Sequence, residues 1–332
     1  MFKLSVLDLS PIAQGSTAAA SFANSLGLAR HAEQLGYQRY WLAEHHGMPG
    51  IASAATAVLL AHIGGGTSTI RIGAGGIMLP NHSPLVIAEQ FGTLESLFPG
   101  RIDLGLGRAP GSDPQTARAL RRHLQSDADE FPQDVLELMD FLSDSPRQPV
   151  RAVPGTGLRM PIWILGSSLY GAQLAALLGL PFAFASHFAP AQMMDAIAIY
   201  RERFTPSAQQ DRPYVMLGFN VFAADSDEQA QIMATSAQQA FINLRSGRPG
   251  QLPPPRPGYQ QQLGAPEQAV LRNLLACSAI GSVETVREQM HAFAERTGAD
   301  ELMIAGQIFD PQARLHSYSI AMQAASELMA AV

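Results

Sequence analysis

Four short stretches of this sequence carry residue types whose spacing could do chemistry. Glu44, His45 and His46 set a carboxylate beside two imidazoles. Imidazole titrates near neutral pH, so one histidine can act as a base or hydrogen-bond donor. Neighbouring residues of a strand face opposite sides, so the other histidine, with Glu44, can hold the loop. The pair lacks the HExxH spacing of a helical zinc site, and a purely structural hydrogen-bonded pair stays open. Gly75 and Gly76 remove two side chains in succession, which marks a bulge, a flat ligand lying on bare backbone, or tight helix–strand packing. Arg108 is a lone guanidinium suited to a phosphate; its structural alternative is an ion pair with Asp113. Ser167 and Ser168 stand between Gly166 and the pair Tyr170-Gly171. Small residues at a strand-to-helix turn leave backbone N–H groups and hydroxyls for an anion; the alternative is an ordinary helix cap. A serine hydrolase elbow needs GxSxG, and Tyr170 stands where its second glycine belongs. Glycines 105, 107 and 111 do not make a GxGxxG dinucleotide loop. His187 reads as a pocket wall and His82 as a loop residue.

Eight β-like runs must position these groups. They start near Leu4, Arg39, Ile70, Arg101, Pro161, Pro181, Tyr214 and Glu301. Several are almost continuously apolar, as parallel strands covered on both faces are. Helical stripes lie between them: Phe22, Leu26, Ala29 and Ala32, closed by Gly36; Val135, Leu138, Met139 and Leu142; and Val286, Met290 and Phe293, between Ser282 and Gly298. Ser83 before Pro84 reads as a helix start. The expected fold is α/β, a (β/α)8 TIM-type barrel spanning 1–332 as one domain, with an open doubly wound sheet as runner-up. The chemistry-bearing residues fall at the C-terminal ends of the runs, where such barrels hold their sites. The stretch 246–267, "SGRPGQLPPPRPGYQQQLGAPE", breaks the rhythm and reads as a mobile loop, either a plain surface insertion or a lid over the mouth.

The 332 residues are 47% hydrophobic and 15% charged, against roughly 25% charged in an average soluble protein. The apolar excess asks for a large core, an apolar pocket or a subunit interface. A net charge of −6 with no basic run argues against nucleic acid or an anionic membrane as partner. One cysteine, Cys277, excludes an internal disulfide and suits a reducing compartment. No apolar run reaches the roughly 20 residues of a membrane helix, and the first residues lack a signal-peptide pattern. The expectation is a soluble, cytoplasmic protein.

These stretches occur together in one family. The chain resembles the luciferase-like flavin-dependent monooxygenases along its length, through "WLAEHH", "IRIGAGGIMLPNHSPLVIAEQFGTLESLFPGRIDLGLGR", "PIWILGSS" and the closing "GSVETVREQM…GADELMI". The resemblance implies a dimeric barrel that binds FMN at its mouth. It matches His45 to an active-site histidine, Gly75-Gly76 to a bulge under the flavin ring that often carries a cis peptide, Arg108 to a phosphate ligand, and Gly166, Ser167, Ser168, Tyr170 and Gly171 to the phosphate loop. Leu7, Leu9, Met78, His187 and Phe219 become candidate walls of the substrate pocket. The implied reaction takes reduced FMN from a separate NAD(P)H:flavin reductase and oxygenates a small apolar substrate with O2 through a C4a-peroxyflavin. The alternatives are an F420-dependent reductase or a flavin carrier without turnover. Gly107 stands where luciferase has a reactive cysteine, and the proline-rich stretch is unlike luciferase's loop, which weighs against light emission from an aldehyde.

Overall fold

The computed structural model describes residues 2–109, 114–120, 130–147 and 149–330. Nine parallel strands form the sheet: β1 (Lys3–Asp8), β2 (Arg39–Leu42), β3 (Arg71–Met78), β4 (Ile102–Gly107), β5 (Ile162–Gly166), β6 (Phe182–Phe184), β7 (Val215–Ala223), β8 (Ser278–Gly281) and β9 (Glu301–Ala305). Their order is β6-β5-β4-β3-β2-β1-β9-β7-β8, and a β6–β7 ladder closes the ring. Eight strands thus make a TIM-type (β/α)8 barrel. β8 pairs only with the C-terminal half of β7, from Asn220 opposite Ser278 to Ala223 opposite Gly281. The sequence reading had no strand there, because SAIG is short and poor in β-formers.

Alternation along the strands divides the apolar residues into two cores. Outward-facing Val6, Tyr40, Leu42, Ile72, Leu104, Ile164 and Leu217 pack against the surrounding helices. Inward-facing Leu7, Trp41, Trp163, Ala183, Met216 and Met303 fill the barrel. The N-terminal end of the interior is ionic. Arg39 reaches Asp103 at 2.7 Å and Glu301 at 2.8 Å, and Arg71 reaches Asp103 at 2.6 Å. The Tyr214 hydroxyl and the Ser5 hydroxyl donate to Glu301, and the Trp41 indole donates to Asp103 at 3.1 Å.

The helices follow local chemistry. Thr17 caps Ala18–Leu35 through the Ala20 N–H, and Gly36 ends it at φ 84°. Gly298 ends Val283–Thr297 in the same left-handed conformation. Ser83 and Ser282 occupy cap positions but make no side-chain capping bond. Within 246–267, Leu252 is buried and exchanges backbone hydrogen bonds with Ile12 and Gln14 at 2.8 Å, while the Arg256 N–H donates to Thr235 Oγ1 at 2.7 Å. The helix Ala265–Leu274 begins inside this stretch. No helix among the described residues is long and apolar enough to cross a membrane.

Candidate active site

At the barrel mouth the β3–β4 register slips between Ala74 and Ile77, and the Gly75–Gly76 peptide is cis. Side chains have no room here. A Cβ on Gly75 would lie 2.9 Å from Leu7 Cδ1 and from Trp41 Cε3, and one on Gly76 would lie 2.8 Å from the Gly105 carbonyl oxygen. The result is bare backbone beside the cavity, a surface on which a planar ring can rest.

Glu44 holds this bulge in place. Its buried carboxylate accepts His46 Nε2 at 2.8 Å and His82 Nε2 at 2.9 Å on one oxygen, and the Met78 N–H at 3.0 Å on the other. Its own N–H reaches the Gly76 carbonyl at 3.4 Å. Burial pushes this carboxyl up, but the hydrogen bond and charge of His82, then the bonds from His46 and Met78, hold it below the usual carboxylate range. The ligand atoms of Glu44, His46 and His82 lie within 4.8 Å of one another, a set that could also take a metal ion.

With His46 turned to Glu44, His45 lines the cavity. His187 faces it across the mouth. The His187 ring sits over Gly218, where a Cβ would come 2.1 Å from Nδ1, and meets Phe188 edge-on at 4.9 Å. Burial, then the nearby His45, pushes His187 down to about 4, so it is neutral at pH 7. Its Nδ1 is buried with no partner among the described residues.

The opposite wall is cationic. The Arg108 guanidinium lies 4.1 Å above the Tyr170 ring. Asp113, its alternative partner, lies outside the described residues. Ser168 stands at the start of the helix Leu169–Leu178 in extended conformation, and its hydroxyl makes no capping bond. Gly171 lets that helix sit directly on the strand end: a Cβ there would already be 3.3 Å from Gly166 Cα. A guanidinium, two hydroxyls and a helix N-terminus make a donor set suited to a phosphate monoester.

One cavity of about 850 Å³ gathers Leu7, Leu9, His45, Gly75, Gly76, Met78, Arg108, Gly166, Ser167, Ser168, Tyr170, Gly171 and His187. Phe219 is a correction. It is buried in the outer layer against Phe293, ring centroids 4.6 Å apart, because β7 turns Met216, Gly218 and Asn220 inward. Sequence reasoning also missed Gly218, whose place inside a strand was a signal, and Gln238 and Arg245, which nothing in the sequence marked out.

Residues 2–301 match the family model described as luciferase-like monooxygenase. A luciferase-like monooxygenase of Escherichia coli (strain K12) is 56% identical over 326 residues, 98% of this chain and 97% of that protein. The crystal structure of apo-MsnO8 superposes with a TM-score of 0.88 at 33% identity, covering 98% of this chain and 99% of that one. The oxygenating constituent of 3,6-diketocamphane monooxygenase, in complex with FMN, shares the fold at a TM-score of 0.71 and 20% identity, over 97% of each chain. Barrel, bulge and sequence agree, and this chain belongs to the luciferase-like monooxygenase family.

Proposed function

We propose that this chain is an FMN-dependent monooxygenase that uses reduced flavin and O2 to oxygenate a small, mainly apolar organic molecule. The carrying observation is the convergence, in one cavity, of bare Gly75–Gly76 backbone with the Arg108, Tyr170, Ser167 and Ser168 cradle. The residues fit FMN. Arg108, the serine hydroxyls and the helix N-terminus would hold its phosphate, and the glycine bulge would lie against its ring. When bound, reduced FMN would supply two electrons to dioxygen, with one oxygen atom going to the substrate and the other leaving as water.

The chain's own part is to bind, exclude water and move protons. Leu7, Leu9 and Met78 line the flavin side and keep it dry, which limits wasteful release of hydrogen peroxide. A ring nitrogen of His45, which lines the same cavity, moves the proton. A separate NAD(P)H:flavin reductase as the source of reduced flavin, and pairing of two chains, belong to the same reading.

The test is binding followed by oxygen. Reduced FMN should bind more tightly than reduced riboflavin, Arg108→Ala should remove that preference, and 18O from labelled dioxygen should enter a product in a substrate screen. Preferential binding of F420 would replace this reading with a reductase. Quantitative hydrogen peroxide with no labelled product would leave a flavin carrier.

A further inference from the structure

The phosphate cradle accounts for Arg108, but nothing so far uses the far wall of the cavity. That wall is one face of the helix Asp227–Arg245, apolar at Phe241 and Leu244 and faced by Leu274. Two polar groups interrupt it. Gln238 is fully buried; its Oε1 accepts from Gln260 Nε2 at 3.1 Å, and its Nε2 has no partner among the described residues. An unpaired donor in an apolar wall is costly, so its partner is expected to come with a ligand. Arg245 is exposed at the rim, stacks on Phe241 at 5.2 Å and has no carboxylate partner among the described residues. A cation in the last turn of a helix is favoured by the helix dipole, but that role does not require it to line a cavity, as Arg245 does. Seven residues, nearly two turns, place both side chains on one face, separated by about 10 Å of helix rise. No aspartate or glutamate lines the cavity among the described residues.

We propose that the substrate has an apolar body with a carboxylate at one end, bound by Arg245 at the rim, and a neutral oxygen acceptor about 10 Å away, bound by Gln238 Nε2. This rests on the proposed function only in taking the cavity as the substrate site.

The test is calorimetric titration of the FMN-loaded protein, without reductant, using 9-oxodecanoate and two analogues that each lack one group. 9-Oxodecanamide removes the charge, and decanoate removes the ketone. Wild type should bind 9-oxodecanoate about tenfold more tightly than either. Arg245→Gln should weaken 9-oxodecanoate about tenfold and leave 9-oxodecanamide unchanged, which a merely structural role would not do. Gln238→Leu should erase the preference for the ketone over decanoate. Equal binding of acid and amide by wild type, unchanged acid binding in Arg245→Gln, or no saturable binding at millimolar ligand would each overturn the proposal. Because nothing turns over, such a failure leaves the oxygenation reading intact, and loss of FMN binding would be seen separately.

Discussion

At the N-terminal end of the barrel, Arg39 lies within 2.8 Å of Asp103 and Glu301 and Arg71 within 2.6 Å of Asp103, and the Tyr214, Ser5 and Trp41 donors around them are also paired, while Trp163 Nε1 has no partner among the described residues. At the mouth, Arg108 lies on an aromatic face, Arg245 does the same at the rim, and His187 is held neutral. The same eight strands build both ends. Where charges are paired, the protein has completed its electrostatics and the barrel floor is closed. Where no carboxylate partner stands among the described residues, as at Arg108 and Arg245, the proposed ligands would complete the pairing. Charge pairing therefore separates the part of this barrel that stabilises from the part proposed to react.

The sharpest break of the comparison is at the mouth. His45→Ala should lower product formation by about 10²–10⁴-fold, with FMN affinity and melting temperature nearly unchanged; steady-state assays and flavin titration check both. Equal turnover would remove His45 from the mechanism. The floor should respond in the opposite way. Asp103→Ala leaves Arg39 buried beside one remaining carboxylate and should cost about 3–5 kcal/mol of stability, read by urea unfolding, while the mouth's preference for FMN over riboflavin persists in the folded fraction.

The Glu44 clamp lies between these extremes. Its folded-state pKa is below the ordinary value of 4.5. The bonds it makes therefore stabilise the mouth fully above that value, and this contribution is lost as pH falls through the lower folded value. Acid unfolding of wild type and Glu44→Gln should converge at the lowest pH and diverge above about 4.5, with wild type the more stable.

Much of this was legible from residue patterns, and the exceptions have physical causes. The barrel strands announce themselves because strands covered on both faces are apolar throughout. That same property hid the facing of β7: in VMLGFNVFA both faces are apolar, so alternation could not tell Phe219, which points outward, from Met216 and Gly218, which point in. Motifs placed Arg108 and Ser167–Ser168 because a cation and small polar residues at strand ends stand out from their surroundings. The floor network joins residues up to 296 positions apart, and only closure of the barrel brings them together. Gln238 and Arg245 look like the polar side of a surface helix until the wall of Leu274 and Leu275 is seen to face them.

The smallest effect tests the finest point of the comparison, that the mouth keeps His187 neutral by shape. The ring occupies the space a side chain at 218 would need, and the Asn220 amide fixes the His187 carbonyl at 2.7 Å. Gly218→Ala must therefore displace the ring toward the cavity while the backbone stays tied. Released from burial, the imidazole should titrate closer to its ordinary value of 6.5 than to the 4 it has in place. In wild type the unfolded chain binds a proton at this histidine that the folded chain refuses, so its contribution is full above about pH 6.5 and falls away toward pH 4. The variant should lose that pH dependence and show a new histidine titration near neutral pH by NMR. It should also bring a second protonatable imidazole beside His45, so the pH profile of the reaction should broaden. An unshifted His187 resonance in Gly218→Ala would mean that the fit over Gly218 is not what keeps the ring neutral.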